Sequence, residues 1–226
     1  MDNTQSAVAI FNKLADVYQE KFMDVSLYHA TLDIFCNAIQ SKNPQILELA
    51  CGPGNITKYL IEKRPDLQIL GTDLAPNMIA LAQMNNPDAE FQLLDCREIK
   101  SLNKHFDAIM CGFALPYLPE VEAEQLIKDA SEILTAGGVL YISTMEENEQ
   151  QQSGIKKSSA GHELYMYYHN AERLTDALTA NGFTMLDVRR IEYMSGDSKT
   201  TDFVVIAQRK NHKPNQCDRQ IAYGMQ

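Results

Sequence analysis

The chain has 226 residues, 45% of them hydrophobic and 22% charged, which suits one well-packed α/β domain and is short for two. Its formal net charge of −10 disfavours nonspecific binding to DNA, RNA or an anionic membrane, because phosphate neutralisation needs clustered Lys and Arg. No apolar stretch approaches the length of a membrane span, and the stretch from Met1 to Glu20 has the composition of neither a signal nor a transit peptide.

Phe11, Leu14, Ala15 and Tyr18 follow helical spacing, as do Val25, Tyr28, Leu32, Phe35 and Ile39, so two amphipathic helices are predicted before the first strand. Ile46 to Leu49 is a short apolar run carrying Glu48, and it enters the turn Ala50-Cys51-Gly52-Pro53-Gly54 ahead of a helical pattern. Gly52 and Gly54 lack a Cβ, which lets the backbone turn sharply and approach a ligand. The N–H groups at the start of the following helix are expected to suit an anionic group.

About twenty residues on, the apolar run Gln68 to Thr72 ends in Asp73, the spacing of an acid that grips a ribose. Pro76 then starts a helix whose apolar face holds Met78, Ile79 and Ala82. A third apolar run, Phe91 to Leu94, ends in Asp95, a candidate acceptor from an exocyclic amine, with the Cys96 N–H beside it. A fourth, Phe106 to Gly112, passes into the loop Phe113 to Leu118. The helix Glu120 to Leu134 is expected to bury Val121, Ile127, Ala130 and Leu134, and Gly137-Gly138 turns into a strand ending near Ser143.

The segment Glu146 to Ala160 is polar and aperiodic and reads as a loop. An aromatic-rich stretch, Gly161 to His169, follows it. Asn170 caps a helix running to Asn181, and Gly182 ends that helix. Phe183 to Tyr193 and Asp202 to Gln208 read as two strands joined around Ser195-Gly196-Asp197. The tail 211–226 is polar. Strands alternating with helices argue for a parallel sheet covered on both faces. The five scattered cysteines (Cys36, Cys51, Cys96, Cys111, Cys217) contain no Cys-x-x-Cys, which reads as free thiols in a cytoplasmic protein without a metal site.

The five motifs at Ile46–Thr57, Gln68–Asp73, Phe91–Arg97, Phe106–Leu118 and Leu134–Ser143, in this order, resemble those of class I S-adenosylmethionine-dependent methyltransferases. The resemblance is to small-molecule members of the ubiquinone and menaquinone methyltransferase kind, and it runs from about Phe11 to about Arg209. It implies a Rossmann-like, doubly wound, seven-stranded sheet with the last strand antiparallel. One domain is expected over 1–210, with lid helices in 1–43, a core in 44–210 and a substrate loop at 146–169. It further implies S-adenosyl-L-methionine as cofactor. Asp73 would bind the ribose; Leu74, Asp95, Cys96 and Arg97 would lie at the adenine; Ala50 and Cys111 would lie at the methionine amine. Glu48, Gly52, Gly54, Met78 and Phe113 complete the expected cofactor set. Tyr18 resembles a lid tyrosine packed over the cofactor, and simple amphipathic packing explains its spacing equally well. A nicotinamide dinucleotide is the runner-up ligand, but its fingerprint wants a small residue where Thr57 stands.

Methyl transfer from a sulfonium is an in-line displacement, for which a protein chiefly aligns the reactants and excludes water. A base is needed only when the acceptor holds a proton. His162, His169 and Tyr28 are the catalytic candidates, with His29 as a further histidine. Tyr165, Tyr167 and Tyr168 are candidate walls of an acceptor pocket. Gly112-Phe113-Ala114-Leu115-Pro116-Tyr117 lacks the Asn/Asp-Pro-Pro-Tyr sequence of nucleic-acid amino methyltransferases. A small-molecule acceptor is therefore expected, with no nucleic-acid or membrane partner, for a monomer or homodimer. A cofactor-binding regulatory module without transfer activity is the alternative.

Overall fold

Nearly continuous apolar runs, separated by helical segments, build a seven-stranded sheet. The computed structural model describes residues 2–157, 161–195 and 198–211. The strands are β1 (Gln45–Leu49), β2 (Gln68–Asp73), β3 (Glu90–Leu93), β4 (Phe106–Gly112), β5 (Leu134–Met145), β6 (Gly154–Lys157), β7 (Glu163–Met166), β8 (Phe183–Ser195) and β9 (Ser198–Arg209). The helices are α1 (Asn3–Lys13), α2 (Ala15–Phe22), α3 (His29–Ala38), α4 (Asn55–Lys63), α5 (Pro76–Asn85), α6 (Glu120–Ile133) and α7 (Ala171–Ala180).

The sheet order is β3-β2-β1-β4-β5-β9-β8. Its first five strands are parallel, and β9 runs antiparallel to both β5 and β8. This is the Rossmann-like sheet that the alternating pattern and the resemblance implied. Both faces are covered. Leu47, Ile109, Leu140 and Val205 point to a core shared with α6 and α7. Ile46, Met110, Tyr141 and Ile206 point the other way, to a core shared with α3 and α4. Each strand thus alternates between two buried faces, which explains the nearly continuous apolar runs. Strand order reverses between β1 and β4, where ligands bind in open α/β sheets, beyond the strands' carboxyl ends.

Four expectations are corrected. The two expected N-terminal helices are three plus a short 3₁₀ turn at Ser26–Tyr28. The break between α1 and α2 falls at Leu14, with φ −105° and ψ 19°, inside a pattern whose spacing reads as continuous. The segment read as a loop from Glu146 contains β6, which pairs with β7 in a separate hairpin. Gly154-Ile155-Lys156-Lys157 lies in a two-stranded ribbon in which even Ile155 is mostly exposed, so the strand has no buried apolar face to announce it. Val121 is 76% exposed, because it stands on the solvent side of the first turn of α6. Leu134 opens β5 rather than closing the helix. The Gly196-Asp197 turn and the tail beyond Asn211 lie outside the described residues.

Asn170 caps α7 as expected, accepting a hydrogen bond from the Arg173 N–H. At the glycine turn, Gly54 has φ 78°, and a Cβ there would lie 2.3 Å from Asn86 Nδ2 and 3.3 Å from the Ala82 backbone. Gly54→Ala is therefore expected to destabilise the fold by at least about 1–2 kcal/mol from the left-handed backbone alone. Gly154→Ala, where nothing lies within 4 Å, should shift stability by less than about 0.5 kcal/mol. Urea-unfolding midpoints of the two variants check this, and equal midpoints would refute it.

Candidate functional site

The site begins with strained backbone at the ends of two neighbouring strands. Ala50, after β1, has φ 50°, and Phe113, after β4, has φ 57°. Such conformations cost energy in residues with a Cβ, and they persist where the surroundings hold them. The Cys51 N–H donates to the Thr72 carbonyl at 2.9 Å. The Phe113 N–H donates to the Ser143 carbonyl at 3.2 Å and to Ser143 Oγ at 3.1 Å. Gly52 (φ 54°) and Gly54 continue the turn.

These residues open onto a first cavity. Of the expected cofactor set, the structure brings Tyr18, Ala50, Gly52, Asp73, Leu74, Met78, Cys96 and Phe113 to its wall. Thr4, Ala7, Val8, Phe11, Tyr117 and Leu118 also line it. Helix α1 therefore contributes more to the site than the sequence reading assigned to it, and the small, apolar face Thr4-Ala7-Val8-Phe11 was the available signal. Phe11 packs edge-on against Tyr117, with ring centroids 4.9 Å apart, and against Tyr18 at 5.7 Å. Burial, with the charge of Asp73 second, pushes the Tyr18 hydroxyl up to about 12.

Asp73 staples the two loops that frame this cavity. One carboxylate oxygen accepts the Gly52 N–H at 3.0 Å and the other accepts the Ala75 N–H at 2.8 Å. Burial raises its pKa against the lowering effect of those N–H groups. Glu48 lies beneath the loop, 1% exposed. It accepts the Thr57 hydroxyl at 2.6 Å and is also hydrogen-bonded by the Thr57 backbone. Desolvation pushes Glu48 up to about 7. The Ile56 N–H is taken by Asn55 Oδ1 at 2.9 Å. The expectation that the start of α4 suits an anion is thus corrected: the Ile56, Thr57 and Lys58 N–H groups have partners within the protein, and a carboxyl group already sits there. That also removes the usual seat of a dinucleotide pyrophosphate.

The remaining expected residues do not line the cavity. Gly54 is packed against α5. Cys111 is fully buried, its thiol pushed up to about 12 by desolvation. Asp95 and Arg97 hold each other, with Arg97 Nη2 2.6 Å from Asp95 Oδ2. Arg97 also reaches Asp2, the N-cap of α1, at 2.9 Å and Glu122 at 3.2 Å. The pair therefore shapes the turn presenting Cys96 and fastens α1 over the site.

A second cavity adjoins the first, with Tyr18, Phe113 and Tyr117 lining both. Of the catalytic candidates the structure brings Tyr28 here and not His162 or His169. His169 is 3% exposed, and its Nε2 pairs with the Leu115 carbonyl at 2.8 Å, which fixes the loop after β4. Desolvation lowers its pKa. His162 stands just before β7, away from both linings. His29 stacks on Tyr59 with ring centroids 4.3 Å apart. Tyr165, Tyr167 and Tyr168 line neither cavity; the Tyr167 hydroxyl instead accepts from Asn3 Nδ2 at 3.0 Å, tying the hairpin to α1. The sequence reading missed Tyr141, Tyr193 and Asp202. An acid followed by the apolar run Phe203 to Ala207 was the available signal for the last.

Residues 46–138 match the model of a family described as a methyltransferase domain. That stretch of the chain thus resembles a methyltransferase domain, set in a Rossmann-like sheet. A trans-aconitate 2-methyltransferase of Variovorax paradoxus (strain S110) is 31% identical over 139 residues, 61% of this chain and 53% of that protein. A putative methyltransferase of Bacillus subtilis (strain 168), YqeM, is 28% identical over 183 residues, 71% of each chain. The magnesium protoporphyrin IX methyltransferase of Synechocystis PCC 6803, solved with bound SAH, aligns with a TM-score of 0.71 at 16% identity. That alignment covers 92% of this chain and 100% of that one, and it speaks for the fold. The chain spans about half the length of the first curated relatives it matches.

The Glu48 carboxyl ties the fold's stability to pH. Its folded pKa, about 7, lies above the ordinary 4.5, so the fold favours the protonated form. Its contribution is fully present below about 4.5, declines as pH rises and is gone above about 7. Glu48→Gln keeps an acceptor for Thr57 and should flatten that decline. Urea midpoints of both proteins from pH 4.5 to 8 check this, and parallel curves would refute it.

Proposed function

We propose that this chain transfers a methyl group from S-adenosyl-L-methionine to a small-molecule acceptor. The observation that carries the reading is the chemistry of the first cavity. Among the described lining residues Asp73 is the charged one, Glu48 lies under the same loop, and the Ile56, Thr57 and Lys58 N–H groups at the start of α4 already have partners. A ligand bearing an ammonium and a sulfonium fits such a wall, and a pyrophosphate does not. The match to the methyltransferase family supports the same donor.

In this reading Asp73 takes the ribose hydroxyls, and Leu74 and Cys96 flank the adenine. Ala50 and Gly52 bring backbone to the methionine end, and Tyr18 closes over it. Glu48 supplies negative potential from below. Asp95 and Arg97 act by holding the turn at Cys96. When bound, the donor supplies a methyl carbon already activated by the adjacent positive charge, so the chain's task is alignment and exclusion of water.

The second cavity supports a small acceptor. It is walled by α2, the turn before α3, the β4 loop and the sheet, a setting that suits a small molecule. The net charge of −10 opposes phosphate binding. Among the described residues no helix is long and apolar enough to cross a membrane.

Calorimetry with S-adenosylmethionine and S-adenosylhomocysteine tests the donor; both should bind, and no heat from folded protein with either would overturn the reading. Asp73→Ala should raise the dissociation constant at least about tenfold, since charge-assisted hydrogen bonds of about 1.5–3 kcal/mol are lost. Labelled methyl from the donor should enter the metabolite pool of an extract. Entry mainly into RNA, DNA or protein would overturn the small-molecule assignment.

A further inference from the structure

The second cavity has a composition that selects its occupant. Half of its lining residues are aromatic, among them Tyr18, Tyr28, Phe113, Tyr117, Tyr141 and Tyr193. Asp24 is its charged lining residue, and no Lys, Arg or His lines it among the described residues. An anionic acceptor would find no countercharge here. A neutral molecule with an aromatic body finds ring faces and edges on several sides.

Beneath this wall lies a carboxyl group that the fold does not pair with any cation. Asp202 stands on β9, between β5 and β8, and is 0% exposed. Its partners are two hydroxyls. The Tyr28 hydroxyl donates to Oδ2 at 2.6 Å, and the Tyr193 hydroxyl donates to Oδ1 at 3.4 Å. Both tyrosines line the cavity, whereas Asp202 does not. Burying a carboxylate with hydroxyls alone is costly, and such arrangements gather where chemistry uses them. Tyr28 is fixed for the purpose. Its N–H bonds the Val25 carbonyl at 2.9 Å, its carbonyl accepts the Thr31 hydroxyl at 2.8 Å, and its ring packs edge-on against Phe113 with centroids 5.3 Å apart. Phe113 also lines the first cavity, so Tyr28 sits one ring away from the donor site.

We propose that Tyr28 is the catalytic proton acceptor for a neutral, hydroxyl-bearing aromatic acceptor in the second cavity, with Asp202 acting through Tyr28 as its proton sink. The assignment rests on the methyl-donor reading above. The acceptor's oxygen forms a bond to the methyl carbon while the carbon–sulfur bond breaks, its electron pair staying on sulfur. The acceptor's proton passes to the Tyr28 oxygen as the Tyr28 proton passes to Asp202 Oδ2. The products are a methyl ether, a neutral sulfide and a protonated Asp202, which returns its proton to solvent.

The groups facing Asp202 are Tyr28 ahead of α3, Tyr193 on β8, Tyr141 on β5 and Tyr168 after β7. Burial, and after it the Asp202 charge, raises each of these hydroxyls, with bonds to Thr31 and Ser143 opposing the rise at Tyr141. Asp24 adds a like charge at the cavity wall. Desolvation pushes the Asp202 carboxyl up to about 6, opposed by its two hydroxyl bonds. Asp202 must be ionised to receive the proton, so turnover should fall on the acid side of about pH 6.

The test uses the full chain, first saturated with S-adenosylhomocysteine, with 2-naphthol, catechol and trans-aconitate as probes. Calorimetry should show binding of at least one phenol and none of trans-aconitate. With S-adenosylmethionine, the bound phenol should be methylated. Tyr28→Phe, which keeps the ring against Phe113, should lower kcat at least about tenfold with KM within about threefold. Asp202→Asn should lower kcat similarly and abolish the limb near pH 6; circular dichroism confirms that it is folded. Preference for trans-aconitate, full kcat in Tyr28→Phe, or an unchanged acid limb in Asp202→Asn would each overturn the proposal. So would silence with both phenols in protein that binds S-adenosylhomocysteine, and that result leaves the donor reading intact. Failure to bind S-adenosylhomocysteine would overturn the donor reading, and this proposal with it.

Discussion

The site depends on left-handed backbone at two side-by-side strand ends. Ala50 and Phe113 leave β1 and β4 with φ of 50° and 57°, at the point where strand order reverses. Neither residue gains from that conformation by itself. The sheet enforces it: β1 is locked between β2 and β4, and β4 between β1 and β5. Donation from Cys51 to Thr72 and from Phe113 to Ser143 continues the strand contacts past the strand ends. The two chains are thereby turned apart, and the first cavity opens between them. The packed sheet stores the stability that this small region gives up.

The electrostatics follow from the carboxyls buried around that opening and under the neighbouring cavity. Glu48 on β1, Asp73 at the end of β2 and Asp202 on β9 are all carboxyls whose pKa burial raises. Among the described groups none is ion-paired with a Lys or Arg. Arg97, which has three acid partners, is taken up by Asp95, Asp2 and Glu122. The site is thus a negative, partly dry enclosure. A cationic ligand offsets the cost of ionising Glu48 and Asp73, and an anion adds to it. The same asymmetry runs through the second cavity, whose lining has Asp24 and no cation.

The fold was legible because the strands are buried on both faces and alternate with helices. Runs such as Ile46 to Leu49 and Phe106 to Cys111 declare themselves, and Gly52, Gly54 and Asp73 mark the turn and the strand end. Left-handed Ala50 and Phe113 were not legible, since neither residue type signals positive φ. The break at Leu14 was invisible for a related reason: the apolar spacing continues across it, and Phe11 still meets Tyr18. Short polar β6 carries no apolar alternation to read. The partnerships of Asp95 and His169 are long-range facts of packing. Asp95 is two residues from the arginine that occupies it, yet Arg97 also needs Asp2 and Glu122, which sequence spacing does not bring near. Asp202 was read as the first residue of a strand; that it meets Tyr28, 174 positions away, required the fold.

What covers the site is held more lightly than what builds it. Helix α1 is fastened by the Asp2–Arg97 ion pair, by Asn3 to Tyr167, by the Thr4 hydroxyl to the Tyr117 carbonyl and by Asn12 to Asn77. Most of these contacts are exposed, and exposed ion pairs are worth about 0–1 kcal/mol each. The apolar contribution comes from a small cluster, Ala15, Ala75 and Met78 with Val8, Phe11 and Tyr18 beside it. The sheet, by contrast, buries its strands in two large cores. Free energy for local opening is therefore expected to be lower in α1 and α2 than in the sheet. Displacing α1 and α2 exposes Tyr18, which lines both cavities. We propose that one movement of these two helices would open both cavities together, while the strained strand ends beside the first stay in place.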